Sequence, residues 1–257
     1  MTGSIRARCG GVGMVAVALA LLAAGPVWPR QATAPAMERA ADPVIAGFSR
    51  STVASVSDAV DQVVGRRGYL AHDLRPYVAG SFVGRARTAV VRAAPPDKAT
   101  PALAVKHSVE MIDEAEPGDV GVIVMEGSLD VAAIGGLMGT AAKARGMAGM
   151  VLDGAVRDVA ELRALDLPVF ARSVSPATAV GRYASVSKQV PVECAGVTIS
   201  PGDIVVAGED GVVVVPKDRA DEVLKRSQEI DERESKMVPY IKQYRSLQKA
   251  IAVFNRI

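Results

Sequence analysis

Met150-Val151-Leu152-Asp153-Gly154-Ala155-Val156-Arg157-Asp158 sets a guanidinium and a carboxylate side by side just past a buried strand. Upstream, Val120-Gly121-Val122-Ile123-Val124-Met125 is an uncharged run of strand length, closed off on its N-terminal side by Glu116-Pro117-Gly118-Asp119. Between the two runs, Gly135-Gly136-Leu137-Met138 leads directly into the helical pattern of Gly139 to Arg145. A strand, a glycine loop, a helix and then a strand from Ala148 to Leu152 make a βαβ unit, which requires parallel pairing through a crossover. The first amides of a helix have no partner within it and attract carboxylates and phosphates. The same unit therefore offers an anion cradle at Gly135 to Met138 and, past its second strand, a base and an acid at Arg157 and Asp158.

Working outward, Ser51 to Val64 carries Val53, Val56, Val60, Val63 and Val64 at helical spacing and ends at Gly65-Arg66-Arg67-Gly68. Ser81 to Arg92 alternates Arg85 and Arg87 with small or apolar residues, the pattern of a strand with one wet face. Ala102 to Ala115 predicts a helix, Asp158 to Asp166 a further one, and Pro168 to Ala171 a short strand. The last third changes rhythm, with short β runs at Gln189–Cys194, Val197–Ile199, Asp203–Ala207 and Val212–Val215. They are separated by turns at Pro201-Gly202-Asp203 and Glu209-Asp210-Gly211. From Lys217 to about Ile251 a charged stretch with helical spacing predicts a long C-terminal helix of the kind that packs across a neighbouring subunit.

The first residues differ in character from the rest. Arg6 and Arg8 precede an uncharged run from Gly10 to Trp28, with small residues at Ala32-Thr33-Ala34 and Ala34-Pro35-Ala36. That is the layout of an export signal over residues 1–36, with an uncleaved N-terminal anchor as the alternative. The chain has 30 basic and 28 acidic residues; removing Arg6, Arg8 and Arg30 with no acid turns a formal charge of +2 into −1. A nearly neutral remainder without basic clusters among aromatics excludes a nucleic-acid footprint. Cys9 lies in the leader, so Cys194 is alone in the remainder and no internal disulfide can form there. The sequence around Cys194 reads as strand, which makes it a small core residue. His72 and His107 stand outside any Asp, Glu or Cys ligand pattern and read as surface or core packing, as do Met138, Met147 and Met150.

Gly135 to Asp158, together with Val56-Ser57-Asp58-Ala59, Gly118-Asp119-Val120, Pro201-Gly202-Asp203 and Asp210-Gly211-Val212-Val213-Val214-Val215-Pro216, resembles the RraA-like family. That family includes the 4-hydroxy-4-methyl-2-oxoglutarate aldolases and proteins named as regulators of ribonuclease activity. The resemblance covers roughly residues 45 to 240, and assigns 45–257 to one domain. It implies an α/β fold: a compact α/β/β/α swivelling-type domain with a long C-terminal helix, a homotrimer or hexamer, and an active site between subunits. It implies further that Gly135, Gly136, Leu137 and Met138 contact the substrate carboxylate, that Arg157 binds the oxo acid, and that Asp158 ligates a divalent metal. A glutamate from a neighbour's C-terminal helix would order the metal's waters, with Glu234 the candidate and Glu232 close behind. One departure stands out: where the better-characterised aldolases carry an aspartate this chain has Gly136, and an acid, Glu161, follows Asp158 by three residues.

These residue types suit one chemistry. Cleaving a bond beside a 2-oxo group develops an enolate, whose charge a Lewis-acidic cation and a guanidinium stabilise. Magnesium, with manganese as an alternative, accepts one protein carboxylate plus substrate and waters, while zinc's His and Cys ligands are lacking. The expected activity is metal-dependent, pyruvate-forming cleavage of a small 2-oxo acid, by aldolase or oxaloacetate decarboxylase chemistry. The missing acid at 136 bears harder on the aldolase reaction. The rival reading is a non-catalytic regulator that binds another protein, which an export signal disfavours for a cytoplasmic partner. A quinone methyltransferase would need a glycine-rich nucleotide loop after the first strand, which this chain lacks.

Overall fold

A computed structural model of the chain describes residues 42–255; the leader predicted at 1–36 lies outside them. The Asp42 carboxylate accepts the Val44 amide and starts α1 (Pro43–Phe48). The Thr52 hydroxyl accepts the Ser55 amide to start α2 (Val53–Val64), and Gly65, at φ 73°, ends it. An Asp or Thr before the first turn and a left-handed glycine past the last are the expected helix boundaries.

The sheet is built around β2 (Phe82–Ala93), which pairs in parallel with β3 (Val120–Glu126). Two short helices, α3 (Pro101–Ala104) and α4 (Lys106–Asp113), carry the chain between them. Next come β4 (Ala132–Ile134), α5 (Gly136–Ala144) and β5 (Gly149–Val156), which returns parallel to β3. Helix α6 (Val159–Ala164) then leads to β6 (Val169–Val174), parallel to β5. The edge strand β1 (Arg75–Val78) runs antiparallel to β6. On the other side, β10 (Ile204–Gly208) and β11 (Gly211–Val215) form an antiparallel hairpin on the first half of β2. Tyr69, just before β1, bridges Val213 of β11, so one segment touches both edges and the sheet nearly closes into a barrel.

Three apolar cores follow from this curl. Inside it, Phe82, Val122, Val151, Phe170 and Val205 pack with Cys194 and Ile199 of the small hairpin β8 (Val192–Cys194) and β9 (Val197–Ile199). Outside one face, Ile123, Met150 and Leu152 meet α4, α5 and α6. Outside the other, Val206 and Val213 meet α1, α2 and α7 (Ala220–Tyr244). Helices therefore cover both outer faces of a curled sheet, which is the predicted α/β/β/α layering. Cys194 is fully buried, and burial pushes its thiol well above the ordinary range, in keeping with a core role. Met147 and Met150 are buried in the same layer as α5, and Met138 packs against it.

Several local readings change. The single helix expected from Ala102 to Ala115 is broken at Val105 (φ −125°, ψ 11°). The Ser185 hydroxyl accepts the His107 amide and donates to the Ala104 carbonyl, replacing the helical bonds lost there. Ser185 belongs to β7 (Tyr183–Lys188), a strand on β2 whose polar sequence gives no apolar alternation. The C-terminal helix is also divided: a 3-10 turn (Lys217–Arg219) precedes α7, and Arg245 at φ 48° separates it from α8 (Leu247–Phe254). The wet face of β2 is half-buried, because Arg85 pairs with Asp42 and Arg87 with Asp119. Among the described residues no helix is long and apolar enough to cross a membrane.

One ion cluster ties this frame together. Arg172 on β6 meets Asp73 at 2.6 Å and Asp153 of β5 at 3.0 Å, and Asp153 also accepts the Ala195 amide. The Arg172 hydrogen bond holds the Asp73 carboxyl below its usual range. A carboxyl so lowered stabilises the fold above its unfolded value of about 3.9, and loses that contribution as pH falls through the folded value. Arg172→Ala should thus cost about 1–3 kcal/mol at neutral pH, the usual range for stranding a charged partner. Urea unfolding should show the gap to the parent narrowing toward pH 3; a gap of constant size would contradict the role given to Asp73.

Candidate active site

The site arises where two neighbouring strands end. Beside β5, β4 pairs Ala132 with Ala155 and Ile134 with Val156, so the chain leaves the sheet at Gly135 and Arg157 side by side. The Arg157 amide donates to the Ile134 carbonyl at 3.1 Å, which fixes that register. Each strand runs at once into a helix, α5 after Gly135 and α6 after Asp158, so two helix N-termini open at one place.

Asp158 occupies the capping position of α6 but does not cap it. Its backbone is left-handed (φ 54°, ψ 39°), a conformation Asp tolerates better than most residues, and its side chain bonds no amide of α6. Instead Oδ2 accepts the Gly136 amide, the first of α5, at 2.9 Å. The Nε of Arg157 stands 3.7 Å from the same oxygen, near enough for attraction but beyond a hydrogen bond. Arg157 and Asp158 keep 41% and 38% of their side-chain surface open, so the pair can still take a ligand.

The Gly136 amide is thus committed to Asp158, while the Leu137 and Met138 amides have no partner among the described residues. These two are the open donors of the cradle. The Leu137 side chain is 90% exposed beside them, whereas Met138 turns toward the core. The Thr140 hydroxyl donates to the Gly136 carbonyl and stiffens the turn. Glu161, in the first turn of α6, lays its carboxylate against Gly136, in the space a side chain at 136 would need. A carboxylate therefore stands where the resemblance puts the missing aspartate, delivered from α6 instead of α5.

Gly135 is extended (φ −141°), so space, not torsion, demands glycine there. A β-carbon at 135 would come within 2.5 Å of Asp158 Oδ2 and 2.8 Å of Arg157 Nε. Gly135→Ala must displace both side chains of the pair. The expected result is a loss of ligand binding about tenfold or larger, comparable to removing a metal-supporting contact, with little change in melting temperature. A variant that binds as the parent does would show the close approach to be unnecessary.

The structure brings together Gly135, Gly136, Leu137, Met138, Arg157, Asp158 and Glu161. It does not bring Glu234 to them within one chain. Glu234 lies on α7, which packs on α2, α1, α8 and the 3-10 turn, none of which carries a site residue. Glu232, on the same helix, is bonded to Lys236 at 2.6 Å. Two supports escaped the sequence reading, Thr140 and the whole of β4. The uncharged run Val131-Ala132-Ala133-Ile134 was the available signal for β4.

The family model described as Aldolase/RraA matches residues 53–214, spanning both strands, the glycine loop and the Arg157–Asp158 pair. The chain belongs to the RraA-like family. A protein of Halalkalibacterium halodurans named "Putative 4-hydroxy-4-methyl-2-oxoglutarate aldolase" is 41% identical over 118 residues, 44% of this chain and 54% of that one. This chain spans about half the length of such curated relatives. Among solved structures, an uncharacterized protein from Pseudomonas syringae superposes with a TM-score of 0.70 at 31% identity, covering 81% of this chain and 96% of that one. Streptomyces coelicolor RraAS2, described as an unusual member of the RNase ES inhibitor RraA protein family, gives a TM-score of 0.68 at 27% identity over 77% of this chain and 96% of its own. Sequence relatives of this chain thus include a protein named for an aldolase, and its fold is shared with a protein described in the RNase ES inhibitor family.

Among the described residues no three His, Cys, Asp or Glu side chains are placed to hold a metal. Two carboxylates, Asp158 and Glu161, border the glycine loop. That set fits a hard, largely hydrated cation such as magnesium, which takes one or two carboxylates and keeps several waters, and does not fit zinc.

Proposed function

We propose that this chain is a divalent-metal-dependent carbon–carbon lyase that releases pyruvate from a small 2-oxo acid. The observation that carries the reading is the convergence of the open Leu137 and Met138 amides, Arg157, Asp158 and Glu161 at two adjoining helix N-termini. Oxaloacetate and 4-hydroxy-4-methyl-2-oxoglutarate are the substrates to test first. Magnesium bound at Asp158 would supply Lewis-acid polarisation of the 2-oxo group. The open amides bind the substrate carboxylate, aided by the positive end of α5. Arg157 donates to the oxygen on which negative charge develops, and it does so most strongly when that charge is greatest. Glu161 is the acid positioned to hold or move a proton at the loop. Decarboxylation of oxaloacetate asks less of that proton transfer than aldol cleavage does, so it is the reaction expected to be faster.

The working form in this reading is a homotrimer or a pair of trimers, exported from the cytoplasm. The resemblance suggests the assembly. Leu137 standing exposed at the site and Glu234 lying remote from it within one chain are in keeping with a neighbour completing the site. Export rests on the leader pattern of residues 1–36. The likeness to RraAS2 keeps a protein-binding regulator as the second reading. An assay coupling pyruvate release to NADH oxidation, run on both substrates with and without magnesium or manganese, separates the two. Metal-stimulated pyruvate release is expected; none from either substrate with either metal would reject the lyase and leave the regulator.

A further inference from the structure

A second cleft, of about 550 Å³, lies away from the glycine loop and shares no residue with it. Its volume falls within the usual range of small-molecule sites, roughly 300–1,000 Å³. One wall is the segment from Arg67 to the start of β1 at Arg75. The other is the tip of the β10–β11 hairpin, where Gly208 pairs with Gly211 and leaves Glu209 and Asp210 as the two turn residues. The floor is apolar, formed in part by Leu70 and Val212.

The charges on these walls are unspent. Among the described residues, Arg67, Arg75, Glu209 and Asp210 are exposed and make no ion pair with one another or with other side chains. Arg67 is held in place without being neutralised: its Nε donates to the Tyr69 carbonyl at 2.6 Å, and its guanidinium lies 4.5 Å from the centroid of the Tyr69 ring. Stacking of this kind orients a guanidinium and leaves its remaining donors for a ligand. The Tyr69 ring is itself 48% exposed. The Tyr69 segment is joined to β11, just past the hairpin tip, by the Tyr69–Val213 bridge and by the Leu70 amide to the Val212 carbonyl, which ties the two walls to one frame.

We propose that this cleft is a second ligand site, for a small zwitterion of the α-amino-acid class with an apolar body. Its carboxylate meets Arg67 and Arg75, its ammonium meets Glu209 and Asp210, and its side chain covers the apolar floor. A ligand with one charge satisfies one wall and leaves the other solvated, so both charges are needed for full affinity. The site is independent of the lyase reading, since none of its residues borders the glycine loop.

The test uses the full chain, with calorimetry or ligand-observed NMR on three molecules of one skeleton. These are leucine, 4-methyl-2-oxopentanoate, which lacks the ammonium, and 3-methylbutylamine, which lacks the carboxylate. Leucine should bind saturably, and each singly charged analogue should bind at least about tenfold more weakly, the worth of one charge-assisted contact. Arg75→Gln and Asp210→Asn should each reduce leucine binding by a similar factor while melting as the parent does. Arg157→Ala should leave leucine binding unchanged, and the oxo acid arm is repeated on that variant to remove binding at the glycine loop. No saturable leucine binding at millimolar concentration would overturn the proposal, as would analogues that bind equally well. Cleft variants that change the oligomeric mass in sedimentation but not leucine binding would overturn it too, and would assign the cleft to a contact between copies.

Discussion

Arg157→Ala lowers metal-stimulated pyruvate release by on the order of 10²–10³-fold, the usual loss on removing a donor to a developing oxyanion. Arg157 follows directly on β5, and its position is set by backbone pairing, with its amide bonded to the Ile134 carbonyl. Truncating the side chain leaves that bond intact. Among the described residues its guanidinium makes no hydrogen bond, and it stands 3.7 Å from the Asp158 carboxylate, so the fold loses little. The loss should fall mainly on kcat, because a guanidinium facing developing charge contributes more in the transition state than in the bound substrate. Steady-state kinetics beside a thermal melt checks this. Unchanged turnover would remove Arg157 from the reaction, and a collapsed melt would mean its role is structural.

Asp158→Asn should weaken magnesium binding by tenfold or more and reduce turnover in step with it. Asparagine is the informative replacement for two reasons. It tolerates the left-handed backbone that Asp158 adopts at φ 54°. Its amide oxygen can also still accept the Gly136 amide now bonded at 2.9 Å. What changes is the charge, and a neutral amide is a poorer ligand for a hard cation than a carboxylate. Calorimetric titration with magnesium measures the effect. Equal affinity in parent and variant would place the metal elsewhere, with Glu161 the next carboxylate to examine.

Much of this architecture is local in origin, and those parts were readable. Helix α2 follows from valines at helical spacing between Thr52 and Gly65, and β3 and β5 from uncharged runs bounded by Gly, Pro and Asp. The parallel pairing of β3 and β5 follows from the helix between them. The parts that were missed depend on partners distant in sequence. β7 is a strand because β2 lies beside it, and the break at Val105 exists because Ser185 of β7 supplies the hydrogen bonds. β4 is too short to show a period, and its pairing with β5 is nevertheless what aligns Gly135 with Arg157.

The candidate site divides in the same way. Glycines and an Arg–Asp pair at this spacing are visible in the sequence, and the structure gathers them. Two features were not legible. One is the left-handed turn that sends the Asp158 carboxylate to the N-terminus of α5 and so occupies the Gly136 amide. The other is the placement of Glu161 over Gly136, which depends on how closely α5 and α6 approach. Both arise from the packing of two helix starts against each other, and no single segment encodes that packing.

The central claim is that the glycine loop and the Arg157–Asp158 pair form one oxo-acid site that works with a divalent cation. Binding of oxalate, a stable two-carbon analogue of the pyruvate enolate, tests it without requiring turnover. Calorimetry on the full chain should show oxalate binding that depends on magnesium and is lost in Arg157→Ala. Oxalate bound equally well without magnesium, and equally well by the variant, would contradict the account.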